Sequence, residues 1–133
     1  MRIARLYTSG IAKELAKLKI DRYFDILLTL SAQSSPVTQK TLAGLLHIDK
    51  SRMVSILDYL GDKGYVFYEV NPADRREHLV SLSAEGKKII PQIKKAIAKN
   101  SHLLTNGIAE SAFDDCMKTL AAIEHNLLIA SQL

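Results

Sequence analysis

At 133 residues, 47% of them hydrophobic, the chain is long enough for one domain with a real core and short for two independent ones. A single cysteine excludes an internal disulfide, and the lack of any apolar run of roughly 18 residues excludes a membrane span. With no signal-peptide core at the N-terminus, the expected compartment is the cytoplasm, and the net charge of +4 suits a nucleic-acid partner.

In chain order, Ile3, Leu6, Tyr7, Ile11, Leu15 and Leu18 recur at spacings of three and four, which predicts an amphipathic helix over about 3–18, locally weakened by Gly10. Its apolar stripe needs a cover, either from the rest of the chain or from a second subunit. Asp21 is placed to cap a second helix running to about Ser31, with Phe24, Leu27, Leu28 and Leu30 inward. Ser34-Ser35-Pro36 ends it, and Val37 is expected to form a very short strand.

Thr38 can N-cap a helix over Gln39–Leu46, whose apolar face is Leu42, Ala43, Leu45 and Leu46. His47 is expected to leave that helix with positive φ, a conformation in which His is enriched. Asp49 can cap the next helix, where Met53, Val54, Leu57 and Leu60 keep helical spacing until Gly64. The other side of this helix carries Lys50, Ser51, Arg52, Ser55 and Tyr59. Short hydroxyls and an arginine near a helix N-terminus can reach base edges and phosphates, although a solvated face would look the same. Tyr65–Asn71 and Glu77–Leu82 read as strands around an Asn71-Pro72-Ala73-Asp74 turn, with Arg75 and Arg76 at the hairpin tip or root. Helix, turn, helix and hairpin together predict a winged helix-turn-helix over about 21–83.

Ser83 can cap a long helix with Ile89, Ile90, Ile93, Ala96, Ile97, Leu103 and Leu104 in one stripe. Pro91 lies inside it and is expected to bend the helix without breaking it, because the stripe continues in phase. Asn106-Gly107 is a stop signal, and a last helix over about Glu110–Ser131 carries Phe113, Cys116, Met117, Leu120, Ile123, Leu127 and Ala130 on one side. The first and last helices hold more apolar surface than a small winged helix needs. A two-fold dimer would bury it and present two recognition helices to a palindromic site.

Asp74-Arg75-Arg76 followed by His78-Leu79-Val80-Ser81-Leu82-Ser83-Ala84-Glu85-Gly86 resembles the wing signature of the multiple-antibiotic-resistance regulator (MarR) family, and Gln39–Leu46 with Asp49–Val66 resembles its reading head. The resemblance spans nearly the whole chain. It implies a mainly α fold with a small β-hairpin wing, a single domain over 1–133, and dimerisation helices at about 3–18 and 84–133. It implies a homodimeric repressor that binds double-stranded DNA at a palindromic operator and is released by a small-molecule effector. The DNA-facing set is Gln39, Lys40, Lys50, Ser51, Arg52, Ser55, Tyr59, Asp74, Arg75 and Arg76, and the effector candidates are Tyr7, Tyr23 and Phe24. Two departures from the family habit stand out: Tyr68 and Glu69 stand in a wing strand that is often basic, and Val54 stands where Ser or Thr is frequent.

From residue 35 to 82, six Lys and Arg (Lys40, Lys50, Arg52, Lys63, Arg75, Arg76) balance six Asp and Glu (Asp49, Asp58, Asp62, Glu69, Asp74, Glu77). Binding must then rest on the placement of a few cations, doubled by a dimer, and not on a broad basic field. The same neutrality keeps a second reading open, a winged-helix scaffold that binds a protein partner in place of DNA. No catalytic, cofactor or metal motif occurs: His47, His78, His102 and His125 lack ligand spacing, and Asp114-Asp115 point some 100° apart on a helix. Cys116, between Phe113 and Leu120 on the apolar side, is expected to be an inert thiol packed in the core or in an interface.

Overall fold

The computed structural model describes residues 2–20 and 22–132. They form six helices and three strands among the described residues: α1 (Arg2–Ala16), α2 (Phe24–Ser31), β1 (Val37–Thr38), α3 (Gln39–Leu46), α4 (Lys50–Asp62), β2 (Val66–Val70), β3 (His78–Leu82), α5 (Ala84–Thr105) and α6 (Glu110–Ser131). The chain divides into two compact units, Met1–Ile97 and Ala98–Leu133.

The first unit is built on one apolar core. Ile11 and Leu15, one turn apart on α1, meet Ile26, Leu27 and Leu30 of α2, Leu42 of α3, Met53, Leu57 and Leu60 of α4, Val80 of β3 and Ile93 of α5. Each fully buried aliphatic side chain of this kind contributes roughly 1.5–3 kcal/mol relative to exposure. Of the faces that spacing predicts, three are corrected. On α3, Leu42 and Ala43 are buried and Leu46 half-buried, while Leu45 is exposed. On α2, Ile26 is buried while Phe24 and Leu28 sit at the rim. On α4, Ile56 is buried where the spacing favours Val54, because both fit a 3.6-residue period about Met53 and Leu57 and only the docking angle of the helix decides between them.

The three strands make an antiparallel sheet of order β1-β3-β2. Val37 pairs with Val80 and Thr38 with Leu79, so the two-residue strand beside the wing is present. Across the hairpin Val66 pairs with Leu82, Tyr68 with Val80 and Val70 with His78. Each long strand is one residue shorter at the turn than its sequence pattern, since the Asn71 N–H donates to the Glu77 carbonyl as part of the turn.

The α2 cap differs from expectation. Asp21 lies outside the described residues, and the cap position is Tyr23, in the left-handed conformation (φ 62°) with no side-chain cap. The Ile26 N–H is satisfied locally by the Tyr23 carbonyl and the Asp25 carboxylate. Ser83 does cap α5, its Oγ accepting from the Gly86 N–H at 3.0 Å. The helix runs unbroken through Pro91, with Ile90, Ile93 and Ala96 buried.

In the second unit α6 has no buried residue, and Cys116 is exposed. Of the two kinds of packing expected for this thiol, core and interface, the core kind is not found among the described residues, where the apolar stripe of α6 is left unburied. Asp114 and Asp115 are exposed as well. No helix among the described residues is long and apolar enough to cross a membrane.

Candidate nucleic-acid interface

The reading head is assembled by two caps and one left-handed residue. Thr38 Oγ1 accepts from the Thr41 N–H at 3.0 Å and starts α3. His47 ends it at φ 52°, ψ 42°, and the next N–H, that of Ile48, turns back to the Ala43 carbonyl at 3.0 Å. The Asp49 carboxylate then starts α4 by accepting from the Arg52 N–H at 2.9 Å and the Ser51 hydroxyl at 2.8 Å. Those bonds, the backbone one first, hold the Asp49 carboxyl below the usual carboxylate range, so it stays charged while capping.

This geometry exposes Lys50, Ser51, Arg52 and Ser55 on the first two turns of α4, at the helix end whose dipole favours phosphate. The Ser55 hydroxyl donates to the Ser51 carbonyl at 3.3 Å. With the Ser51 hydroxyl donating to Asp49, both serines present acceptors outward and spend their protons locally. Arg52 has no side-chain hydrogen bond or ion pair among the described residues, so its guanidinium is available to a base edge or phosphate. Lys40 is exposed and Gln39 half-buried on the first turn of α3. Tyr59 is engaged elsewhere: its ring meets Tyr23 edge-on at 5.5 Å, with the Lys63 ammonium 5.6 Å from its centroid.

The wing tip is held by two Asx turns. Asn71 Oδ1 accepts from the Ala73 N–H and Asp74 Oδ1 from the Arg76 N–H, each at 3.0 Å. Asp74 also pairs with Arg76 Nε at 3.4 Å, leaving most of the Arg76 side chain in solvent. Arg75 is exposed and makes no ion pair among the described residues. At the wing root Tyr68 reaches Asp58 of α4 at 3.4 Å, and burial together with that carboxylate pushes its phenol up to about 12, so it donates throughout the physiological range.

None of the three effector candidates lines the open cleft of about 590 Å³ in the first unit. Tyr7, Tyr23 and Phe24 each pack against the core. The cleft is lined among others by Leu30, Phe67, Glu69, Ile90, Lys87 and Lys94. Lys87 and Lys94 stand seven residues apart on one side of α5, a spacing the sequence shows but which gains meaning only with the sheet opposite it. Among the described residues no three His, Cys, Asp or Glu side chains gather as a metal site.

Two capped helices joined by a left-handed turn, with a basic-tipped hairpin rooted on the second, define a winged helix-turn-helix of the DNA-binding kind. The MarR family model matches residues 20–77, which hold this head. The chain is similar over 97% of its length, and 93% of the other's, to a MarR transcriptional regulator from Methanosarcina mazei Go1, at 26% identity and a TM-score of 0.87. It is similar at 26% identity, with 92% and 87% covered and a TM-score of 0.85, to the transcriptional repressor CouR bound to a 23-mer DNA duplex. CouR from Rhodococcus jostii RHA1 bound to p-coumaroyl-CoA gives 23% identity, 92% and 86% coverage and a TM-score of 0.78. Residues 20–77 thus match the MarR family, and nearly the whole chain has the fold of winged-helix MarR transcriptional regulators.

Proposed function

We propose that the protein is a homodimeric repressor, working in the cytoplasm, that grips a palindromic operator with two copies of α4 and its wing and lets go when a small molecule binds. The observation that carries this reading is Arg52, exposed and without a side-chain hydrogen bond among the described residues, beside exposed Ser51 and Ser55 at the N-terminus of α4, on the same unit as the exposed Arg75 and Arg76 of the wing. Arg52, Ser51 and Ser55 read bases; Lys40, Lys50, Arg75 and Arg76 hold phosphates; Gln39 supports the first contact and Asp74 orients Arg76. Tyr59 serves the head by packing.

Pairing through the terminal helices is supported by their uncovered apolar side chains, Ile3 and Leu6 on α1 and Met117, Leu120, Ile123 and Leu127 on α6. Release by an effector is supported by the open cleft beside Lys87 and Lys94, and by the p-coumaroyl-CoA found on CouR. Footprinting on the DNA upstream of the protein's own gene tests the reading. Two protected half-sites about one helical turn apart are expected. Binding no tighter than to a scrambled duplex would overturn it and favour a protein partner for the same head.

A further inference from the structure

We infer that Val54 is a specificity-determining residue of the recognition helix, packing its methyl groups on the 5-methyl of a thymine in the major groove; this rests on the proposed reading of DNA by α4. On the first two turns of α4, Met53 and Ile56 are buried while Lys50, Ser51, Arg52 and Ser55 are exposed. Val54, half-buried, is the one apolar side chain there, among the described residues, that does not belong to the buried core. It lies at i+3 and i+4 from Ser51 and Lys50, on the same side of the helix. With them and Asp49 it lines a shallow hollow whose walls are mostly apolar.

The polar groups around that hollow are already committed. The Ser51 hydroxyl donates to Asp49, the Asp49 carboxylate holds the start of the helix, and the Ser55 hydroxyl donates to the Ser51 carbonyl. What remains toward DNA on this side is acceptor lone pairs, an apolar surface and the Lys50 ammonium, a point charge suited to phosphate. A purine edge offers N7 to such a surface and finds no donor at Val54. The thymine methyl is the apolar group that the major groove presents, and it is the group this surface fits.

The test uses the full chain and a duplex selected by it from a randomised pool. Each dT is replaced in turn by dU, which keeps the pairing and removes the methyl, and affinity is read by fluorescence anisotropy for the wild type, Val54→Ala and Arg52→Ala. One position in each half-site is expected where dU weakens the wild type about fourfold, the scale of one methyl leaving a buried contact. Val54→Ala, which alanine's helix propensity keeps folded, is expected to bind dT and dU there alike, at the wild-type dU level. Arg52→Ala should bind more weakly throughout and still distinguish the two. Indifference of the wild type to dU at every position, or an unchanged penalty in Val54→Ala, overturns the inference. A pool that yields no enriched sequence overturns the DNA reading itself, and this inference with it.

Discussion

Gly86, in the first turn of α5, lies so close to Tyr65 that a Cβ added to it would come within 2.1 Å of the Tyr65 carbonyl oxygen. The same carbonyl accepts from the Ser83 N–H at 3.0 Å, so the end of the wing and the start of α5 meet backbone to backbone. Helix propensity alone would have Gly86→Ala stabilise the protein by about 1 kcal/mol. The clash is with a backbone atom that cannot swing aside, so the sign reverses, and a net loss of about 1–2 kcal/mol is expected. A urea unfolding midpoint equal to or above that of the wild type would show that this contact does not constrain the fold.

Asp49 ties stability to acid pH. Its carboxyl is held below the ordinary value, so its contribution is complete above the unfolded-state pKa and is lost as pH falls through the lower folded-state value. Asp49→Asn keeps a capping oxygen without the charge. It should therefore flatten the acid limb of the stability curve, below the usual carboxylate pKa of 3.8, and change little near neutrality. Thermal melts of both proteins across the acid range check this; parallel curves would mean that Asp49 does not carry the dependence.

Pairing through α6 is tested by charge. Leu120 and Leu127, 43% and 65% exposed in the single chain and seven residues apart on one side of the helix, cost the monomer little when changed to Asp. Buried in a two-fold interface, the same carboxylates would cost several kcal/mol. The wild type is expected to sediment as a dimer at micromolar concentration and the double variant as a monomer with its helix content kept. A monomeric wild type ends the proposal of a dimer.

Local chemistry makes most of the head legible in the sequence. Thr38, His47, Asp49 and Ser83 take the capping and turn roles that their side chains dictate, because each is settled within three or four residues of chain. What is not legible depends on docking. Ile56 is buried and Val54 only half-buried because the angle of α4 on the core is set by partners distant in sequence. The edge-on packing of Tyr59, a DNA candidate, against Tyr23 is illegible for the same reason. The neighbours of Cys116 suggest burial, but an apolar stripe states only what a helix can cover and not that the chain itself covers it. The cleft beside Lys87 and Lys94 needs a sheet and a helix brought face to face, which no periodicity announces.

The last prediction separates the residues that read sequence from those that hold the backbone. Arg52 and Ser55 stand at i and i+3 on the exposed side of α4, so both can face base edges in one groove, whereas Arg75 and Arg76 stand on a hairpin displaced from it. Arg52→Ala should cost about 1–3 kcal/mol on the preferred site and far less on random DNA. Arg75→Ala should weaken both DNAs nearly alike and flatten the salt dependence by about one per lost phosphate contact in each subunit, roughly two for a dimer. Arg76→Ala should follow the same pattern. Asp74 carries no positive charge, and its carboxylate accepts from both the backbone and the Nε of Arg76. Removing it frees that arginine and loosens the turn, so Asp74→Ala should be a weaker copy of Arg76→Ala and should not improve binding, despite the negative charge removed. Anisotropy titrations on a selected and a scrambled duplex at several salt concentrations measure all four. If Arg52→Ala weakens both duplexes equally while Arg75→Ala abolishes the preference, the wing reads the sequence and α4 holds the backbone; if none of the four changes matters, the head does not bind DNA through these residues.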